Sequence, residues 1–168
     1  RRKYKNVAIL ADSTNYGQLG RDDLERALAA KGIKAVAVEK FNIKDVDMTA
    51  QLLKAKAAGA EVVLTYAIGP ELAQIANGMT KLGWKVPMIG SWTLSMANFI
   101  DNAGPGGEGA RIGSRLRELG ERLPGEAITG ADREALRELA QRVGRSGRDP
   151  MAGEYARMAA LLDQVELA

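Results

Sequence analysis

Polar side chains able to bind a ligand follow the first apolar run of the chain. Residues 12–16 read DSTNY, and they come directly after the apolar residues 7–11. In an α/β fold the ligand lies beyond the carboxyl ends of the strands, so this turn is expected to face the ligand. The hydroxyl groups of Ser13 and Thr14 precede a predicted helix N-terminus. There they could receive an anion, or they could satisfy the turn backbone and cap the helix.

Aromatic side chains are predicted at the same edge. Tyr16, Tyr66 and Trp92 each fall in or beside a loop that follows a predicted strand. Together they would form an apolar, stacking wall around a small ligand, although each one alone is equally consistent with ordinary packing. We expect Trp84, which follows a glycine, to pack in the core. Glu71, at the start of a predicted helix, is expected to interact with the helix dipole.

The residue types that are missing exclude much of enzyme chemistry. The chain has no cysteine and no histidine. Disulfides, thiolate catalysis, cysteine metal sites and a Ser-His-Asp arrangement are therefore excluded, and the commonest general base is absent. Gly17 and Gly20 of the first turn do not make the dinucleotide pattern G-x-G-x-x-G, and the phosphate-cradling pattern G-x-x-x-x-G-K-[ST] does not occur. A phosphoacceptor receiver domain is disfavoured, because Tyr66 stands where the third strand would need an acidic residue. We expect a non-enzyme that needs no cofactor and no metal.

A sheet with helices on both faces would position these residues. The apolar pattern predicts strands at 7–11, 33–41, 61–66 and 86–90, and helices at 18–31, from the cap at 47–49 to Gly59, at 70–82 and at 95–102, with a breaker at 103–107. Four successive βα units predict an α/β fold with a doubly wound parallel sheet, a flavodoxin-like single lobe. The loops after strands one, three and four, at residues 12–17, 66–70 and 90–95, would then share one edge of the sheet.

The composition changes after Gly113. All ten lysines lie at or before Lys85, whereas nine of the fourteen arginines follow Gly113. We predict an α/β lobe over residues 1–112 and a helical segment over residues 113–168. Three helices are expected in that segment, around Leu119, after a capping box at Thr129, and after Pro150. The segment is either a fused or engineered piece or part of one natural protein with a locally biased composition.

Charge and hydropathy exclude two further classes of partner. The net charge of +3 is spread without a clustered basic face, so no nucleic acid is expected. No apolar run reaches the roughly 18 residues that span a bilayer. No signal peptide is recognisable, which fits a cytosolic protein or a mature or truncated secreted one.

Several short motifs occur in a characteristic order. They are VAILADSTNYG at 7–17, DMT before QLLK at 47–54, GPE at 69–71, KLG at 81–83 and PMIG at 87–90. By their order and spacing, residues 3–111 resemble the type I periplasmic binding proteins. More narrowly, they resemble the second lobe of the branched-chain amino-acid (Leu/Ile/Val) substrate-binding proteins of ABC transporters.

This resemblance implies a function and a set of contacts. Family members hold a ligand between two α/β lobes in the periplasm and deliver it to a membrane permease. The resemblance implies ligand binding by residues of three loops, namely Ser13, Asn15, Tyr16, Ile68, Gly69, Ser91 and Trp92. Amino-acid binders often carry an acidic residue in the last loop, where this chain has Ser91 and Trp92. That difference favours a larger or aromatic, carboxylate-bearing ligand over one recognised by its ammonium group.

Other functions stay open at this point. One lobe is expected to bind weakly or not at all, because a clamp of two lobes buries most of a ligand's surface. The chain could instead be a structural or engineered α/β scaffold without a ligand. It could also be a flavodoxin-like phosphate or flavin binder that uses Ser13, Thr14 and the first helix N-terminus. The helical segment could serve as a homodimer surface.

Overall fold

Strands and helices alternate from the first apolar run onward in the computed structural model. The strands are β1 (Val7–Asp12), β2 (Ala37–Phe41), β3 (Val62–Tyr66) and β4 (Met88–Gly90), and the helices are α1 (Asn15–Ala29), α2 (Thr49–Ala57), α3 (Glu71–Lys81) and α4 (Ala97–Ile100). The structure describes residues 4–111 and then 113–114, 118, 129–131, 134–135 and 137–138. The chain divides into two compact units, Arg1–Glu108 and Gly109–Ala168.

The four strands form one parallel sheet in the order β2-β1-β3-β4. In its register, Ile9 pairs with Val38 on one side and with Leu64 on the other. Every residue of β1 is buried, as expected of a central strand that is covered on both faces. The α/β fold with a parallel sheet is therefore confirmed.

The helices cover both faces of the sheet. The chain moves from β1 outward to β2 through α1, then moves in the opposite direction through α2 and α3. Because such crossovers are right-handed, α1 lies on one face and α2 and α3 lie on the other. The latter two pack closely: a Cβ on Gly78 would lie 2.6 Å from Leu52 Cδ1. The doubly wound arrangement follows from this reversal between β1 and β3.

Helix α1 begins earlier than predicted, and this places the first turn differently. The prediction was 18–31, whereas α1 runs over Asn15–Ala29 with Thr14 as its N-cap. The hydroxyl of Thr14 accepts a hydrogen bond from Gly17 N at 3.2 Å, and Gln18 N donates to Thr14 O at 2.9 Å. Tyr16 therefore lies in the first turn of the helix rather than in a loop, as side-chain capping by Thr14 closes the helix at that point.

Strands β2 and β4 begin later than predicted. Residues 33–36 were expected to be extended, but Ile33 N donates to Leu28 O at 3.0 Å and so finishes the end of α1. The chain first joins the sheet when Val36 N donates to Val7 O at 2.8 Å. The fourth strand covers only Met88–Gly90 of the predicted 86–90.

The region after β4 also differs from the prediction. A helix over 95–102 was expected, but the structure has a 3₁₀ turn at Trp92–Ser95 and then α4. The extended backbone of Met96 (φ −81°, ψ 149°) separates the two. The predicted breaker at 103–107 contains a further 3₁₀ turn at Gly104–Gly107 and leads directly into helical residues 108–111.

A smaller prediction about the core is confirmed. Trp84 lies in the core. Asp45 and Asp47 are turn residues: the Asp45 carboxylate accepts a hydrogen bond from Asn42 N, and the Asp47 carboxylate accepts one from Thr49 N, both at 2.8 Å. Two further carboxylates, those of Asp12 and Glu71, also accept hydrogen bonds from loop backbone.

The described residues of the second unit are helical except for one. Residues 113–114, 118, 130–131, 134–135 and 137–138 are helical, and Thr129 precedes the helical Gly130. Arg137 Nη1 lies 2.7 Å from Glu134 Oε2. The apolar residues of the predicted helices around Leu119 and after Pro150 lie outside the described residues.

Candidate functional site

A buried carboxylate shapes the turn between β1 and α1. Asp12 ends β1 and is 2% exposed. Its Oδ1 accepts hydrogen bonds from the backbone N of Thr14 at 2.9 Å and from the Thr14 hydroxyl. A Cβ on Gly17 would lie only 2.3 Å from that oxygen, so only glycine lets the first turn of α1 approach so closely. The carboxylate thus lies directly beneath the N-terminus of α1.

The site lies where the order of strands reverses. In the doubly wound sheet β1 and β3 are neighbours, and the chain leaves them toward opposite faces. This reversal opens a crevice at the carboxyl edge, which is where such folds bind ligands. Tyr16 from α1 and Tyr66 from the end of β3 meet there, with ring centroids 4.7 Å apart and planes tilted by 45°.

Glycine makes room for this aromatic pair. A Cβ on Gly20 would lie 2.0 Å from ring atoms of Tyr66. The ring of Tyr66 therefore packs against the backbone of α1, and the Tyr16 ring packs against Tyr66. The neighbouring Tyr16 phenol, with burial as a second cause, raises the pKa of Tyr66 above its usual value of 10.0. Tyr66 is consequently a neutral phenol at physiological pH.

A chain of hydroxyl groups joins three loops at this edge. The Tyr16 hydroxyl lies 2.9 Å from Ser91 Oγ, and Ser91 Oγ lies 2.9 Å from Thr93 Oγ1. The Thr93 hydroxyl in turn donates to Ala67 O at 2.9 Å. The turn after β1, the loop after β3 and the loop after β4 are therefore held together, as their common position at one sheet edge predicts.

The remaining predicted site residues lie on the same three segments. Trp92 is 66% exposed and Ile68 is 41% exposed, so both present apolar surface to solvent. Gly69 has φ +75°, a conformation that favours glycine. Ser13 and Asn15 flank the helix N-cap but are outside the hydroxyl chain: Ser13 O accepts a bond from the Gln18 side chain at 2.9 Å, and Asn15 is exposed.

Two contributors to the site, Thr93 and Glu71, are not among the binding residues predicted from the sequence. Thr93 was not selected, although a hydroxyl residue just after a strand end is a usable signal. Glu71 was interpreted as a partner of the α3 dipole. In the structure it is also 6% exposed, and its Oε1 accepts a bond from Lys44 N at 2.6 Å. This bond spans 27 positions, so no local pattern could have indicated it.

The surface offers contacts but no reactive pair. Its exposed groups are aromatic rings, aliphatic side chains and neutral hydroxyls, whereas the charges of Asp12 and Glu71 are buried and bound to backbone amides. Among the described residues, no three acidic side chains are close enough together to hold a metal ion. The arrangement can bind a neutral or apolar part of a ligand and hydrogen-bond a polar group.

One groove lies away from this surface. It has a volume of about 740 Å³ and is lined by apolar residues (Leu28, Ile33, Val62, Leu64 and Ile89 among them) and by Lys5, Lys31 and Lys34. It lies where α1 ends, near the amino ends of β1 and β3. Because ligands of doubly wound folds bind at the carboxyl edge, the surface around Tyr16 is the candidate site and the groove is not.

Comparison with known proteins defines the class. The family described as periplasmic binding protein matches residues 1–168. The chain therefore belongs to the periplasmic binding protein family, as its resemblance implied. The match runs through the lysine-free segment after Gly113. Within the part of the chain that is described, no helix is long and apolar enough to cross a membrane.

Relatives with more specific names are similar over part of the chain. The chain is 34% identical over 103 residues to the Leu/Ile/Val-binding protein homolog 2 of Brucella abortus (strain 2308), covering 61% of this chain and 28% of the relative. It is 27% identical over 109 residues to the leucine-, isoleucine-, valine-, threonine-, and alanine-binding protein of Pseudomonas aeruginosa, covering 65% and 29%. The chain thus spans less than a third of the length of these relatives.

Solved structures agree on the fold. The periplasmic binding protein type 1 from Bordetella pertussis Tohama I superimposes with a TM-score of 0.59 at 32% identity, over 62% of this chain and 28% of that one. An extracellular ligand-binding receptor from Rhodopseudomonas palustris HaA2 matches over 94% of this chain and 52% of its own, with a TM-score of 0.57 at 21% identity. The second likeness concerns the fold alone.

Proposed function

We propose that the chain is a ligand-binding lobe of the substrate-binding protein of an ABC importer. Its ligand is an amino acid or a related small carboxylate, bound without covalent chemistry. The observation that carries this proposal is the hydroxyl chain from Tyr16 through Ser91 to Thr93, placed at the reversal point of the sheet and flanked by the exposed Trp92 and Ile68. Relatives named for binding leucine, isoleucine and valine support the class of ligand.

The chemistry of the surface narrows what it contacts. An ammonium group would need an accessible carboxylate, yet Asp12 and Glu71 are 2% and 6% exposed and their oxygens accept backbone hydrogen bonds. Aromatic and aliphatic side chains favour an apolar or aromatic group, whereas the protons of the Tyr16, Ser91 and Thr93 hydroxyls are engaged in the chain that ends on Ala67 O. We therefore propose that this lobe binds the apolar or aromatic part of a small carboxylate.

The affinity of the chain on its own should be low. Ligand sites in proteins bury about 70–90% of a small ligand's surface, and a single sheet edge covers one side of it. In a two-lobed relative the second side comes from the rest of the protein. In the periplasm such a protein would pass its ligand to a membrane permease.

A phosphate or flavin site at the same turn is not part of the proposal. Such a ligand would use the N-terminus of α1, where the helix dipole favours negative charge. The carboxylate of Asp12 already lies beneath that N-terminus and accepts the hydrogen bond of Thr14 N. A second negative charge would be repelled there.

Calorimetric titration tests the proposal. The chain is titrated with leucine, phenylalanine and benzoate, and weak saturable binding of at least one is expected. Tyr16→Phe and Trp92→Ala should weaken that binding by about fivefold or more, which corresponds to the loss of roughly 1 kcal/mol. Tyr4→Phe is the matched control, because Tyr4 lines the groove at the opposite edge. The proposal is overturned if none of the three compounds binds, or if Tyr4→Phe weakens binding as much as Tyr16→Phe.

A further inference from the structure

Buried polar side chains converge on one short segment of the candidate site. Among the described residues, four polar side chains are buried: Asp12, Thr65, Glu71 and Thr93. Burying a polar group is costly unless it is hydrogen-bonded, so the positions of these side chains carry information. Asp12 and Thr93 form hydrogen bonds with the backbone of residues 67–68, and the Glu71 carboxylate lies near Gly69.

One peptide group of this segment is held from both sides. The Ala67 carbonyl accepts a hydrogen bond from the Thr93 hydroxyl at 2.9 Å. The N–H of Ile68, which belongs to the same peptide group, donates to Asp12 Oδ2 at 3.2 Å. Rotation of this peptide would break both bonds. The backbone that presents Ile68 is therefore fixed by β1 on one side and by the loop after β4 on the other.

The Glu71 carboxylate lies near the next residue, Gly69. Gly69 has φ +75°, and a Cβ there would lie 3.1 Å from Glu71 Oε2. The other oxygen of Glu71 accepts the bond from Lys44 N at 2.6 Å. Within the described part of the chain, Lys44 alone among non-glycine residues has a positive φ, at 71°. Glu71 thus lies against residues 67–69 and also fixes the loop after β2 in a strained conformation.

We propose that Asp12 and Thr93 are positioning residues that hold the peptide between Ala67 and Ile68 rigid, so that Ile68 is a preformed apolar contact for the ligand. Glu71 extends this rigid frame to the loop at residues 42–48, which makes that loop a fourth element of the ligand-binding edge. The ligand contact rests on the proposed function; the rigidity does not. A preformed loop spares the ligand the entropic cost of ordering it, which matters most where only one lobe contributes.

Amide hydrogen exchange, measured by NMR on the full chain, tests whether the Thr93 hydroxyl holds the peptide between Ala67 and Ile68 in place. Thr93→Val removes the hydroxyl donor to Ala67 with little change of shape, and the Ile68 amide is expected to exchange about five- to tenfold faster. Thr93→Ser keeps the donor and should restore slow exchange. Thr80→Val is the control, because the Thr80 hydroxyl also donates to a backbone carbonyl, Ala76 O at 3.0 Å, but within α3.

The same measurement tests the role of Glu71. Glu71→Met keeps the approximate shape but removes the acceptor, so exchange of the Lys44 amide should accelerate about tenfold. Glu71→Gln keeps an acceptor oxygen and should leave exchange of the Lys44 amide within about threefold of the wild-type rate. Global unfolding is monitored at the amides of β1. Their exchange rates should rise by no more than the factor that corresponds to the loss of unfolding free energy in each variant.

The outcomes separate this inference from the proposed function. Fast exchange of Ile68 in the wild-type chain, or equal acceleration in Thr80→Val and Thr93→Val, overturns the rigid frame. If benzoate binds, Thr93→Val should weaken its binding by about threefold, Thr93→Ser should restore most of the lost affinity, and Thr80→Val should leave it unchanged; unchanged binding in Thr93→Val overturns the ligand contact of Ile68. A rigid frame in a chain that binds none of the three test compounds contradicts the proposed function and the ligand contact but leaves the positioning claim intact.

Discussion

Replacing Asp12 with asparagine should destabilise the first unit far more than an ordinary loss of one charge. The two carboxylate oxygens of Asp12 accept bonds from Thr14 N and Ile68 N, and the residue is 2% exposed. Asparagine offers one acceptor oxygen, so one of the two backbone donors would face an NH₂ group instead. An unsatisfied buried donor costs about 1–3 kcal/mol, and loss of the negative charge at the N-terminus of α1 adds about 0.3–1 kcal/mol. The expected loss is about 1–4 kcal/mol.

Urea unfolding followed by tryptophan fluorescence measures this loss, since Trp84 and Trp92 both belong to the first unit. With a slope of about 2 kcal/mol/M, the midpoint of Asp12→Asn should fall by about 0.5–2 M. Asp22→Asn is the control: Asp22 is exposed and pairs with Arg21 at 2.7 Å. Loss of the Asp22 charge should lower the free energy of unfolding by less than about 0.5 kcal/mol. If Asp12→Asn lowers the midpoint no more than Asp22→Asn, Asp12 does not organise this edge.

Three further predictions concern the same molecule. Gly20→Ala should lower stability by about 1–3 kcal/mol in urea, because its Cβ would lie 2.0 Å from the ring of Tyr66; an unchanged midpoint would contradict this close approach. Tyr16→Phe should lower the raised pKa of Tyr66 toward 10.0 in a tyrosinate absorbance titration, and an unchanged pKa would exclude Tyr16 as the cause. Hydrogen bonds from Thr49 lower the pKa of Asp47 below its usual value of 3.8. The stability that these bonds contribute is therefore present above pH 3.8 and is lost as the pH falls through the lowered pKa. The wild-type chain and Thr49→Val should therefore differ most above pH 3.8, and a difference that grows in acid would refute the assignment.

Much of the fold could be predicted because it follows from local pattern. The continuous apolar run at 7–11 predicts a fully buried strand, and β1 is buried throughout. Short connections between alternating strands and helices leave few topologies, so the meeting of three loops at one edge could also be predicted. The contact between Tyr16 and Ser91, separated by 75 positions, is a consequence of that topology.

Contacts that depend on one side chain reaching a distant backbone group could not be predicted. The bond from Lys44 N to Glu71 and the bond from Ile68 N to Asp12 join elements that are remote in sequence. The apolar pattern also placed the start of α1 too late, because the Asp12 carboxylate and the Thr14 hydroxyl decide it together. The origin of the segment after Gly113 and the ligand-binding role of the seven selected residues stay predictions.

The most direct test of the central claim is NMR chemical-shift mapping during titration with leucine, phenylalanine and benzoate. The surface around Tyr16 should respond if it is the ligand site. Saturable shifts are predicted for the amides of Tyr16, Ile68 and Trp92, with the groove residues Lys34 and Ile89 unaffected. Shifts confined to the groove, or no saturable shifts with any of the three compounds, would contradict the account.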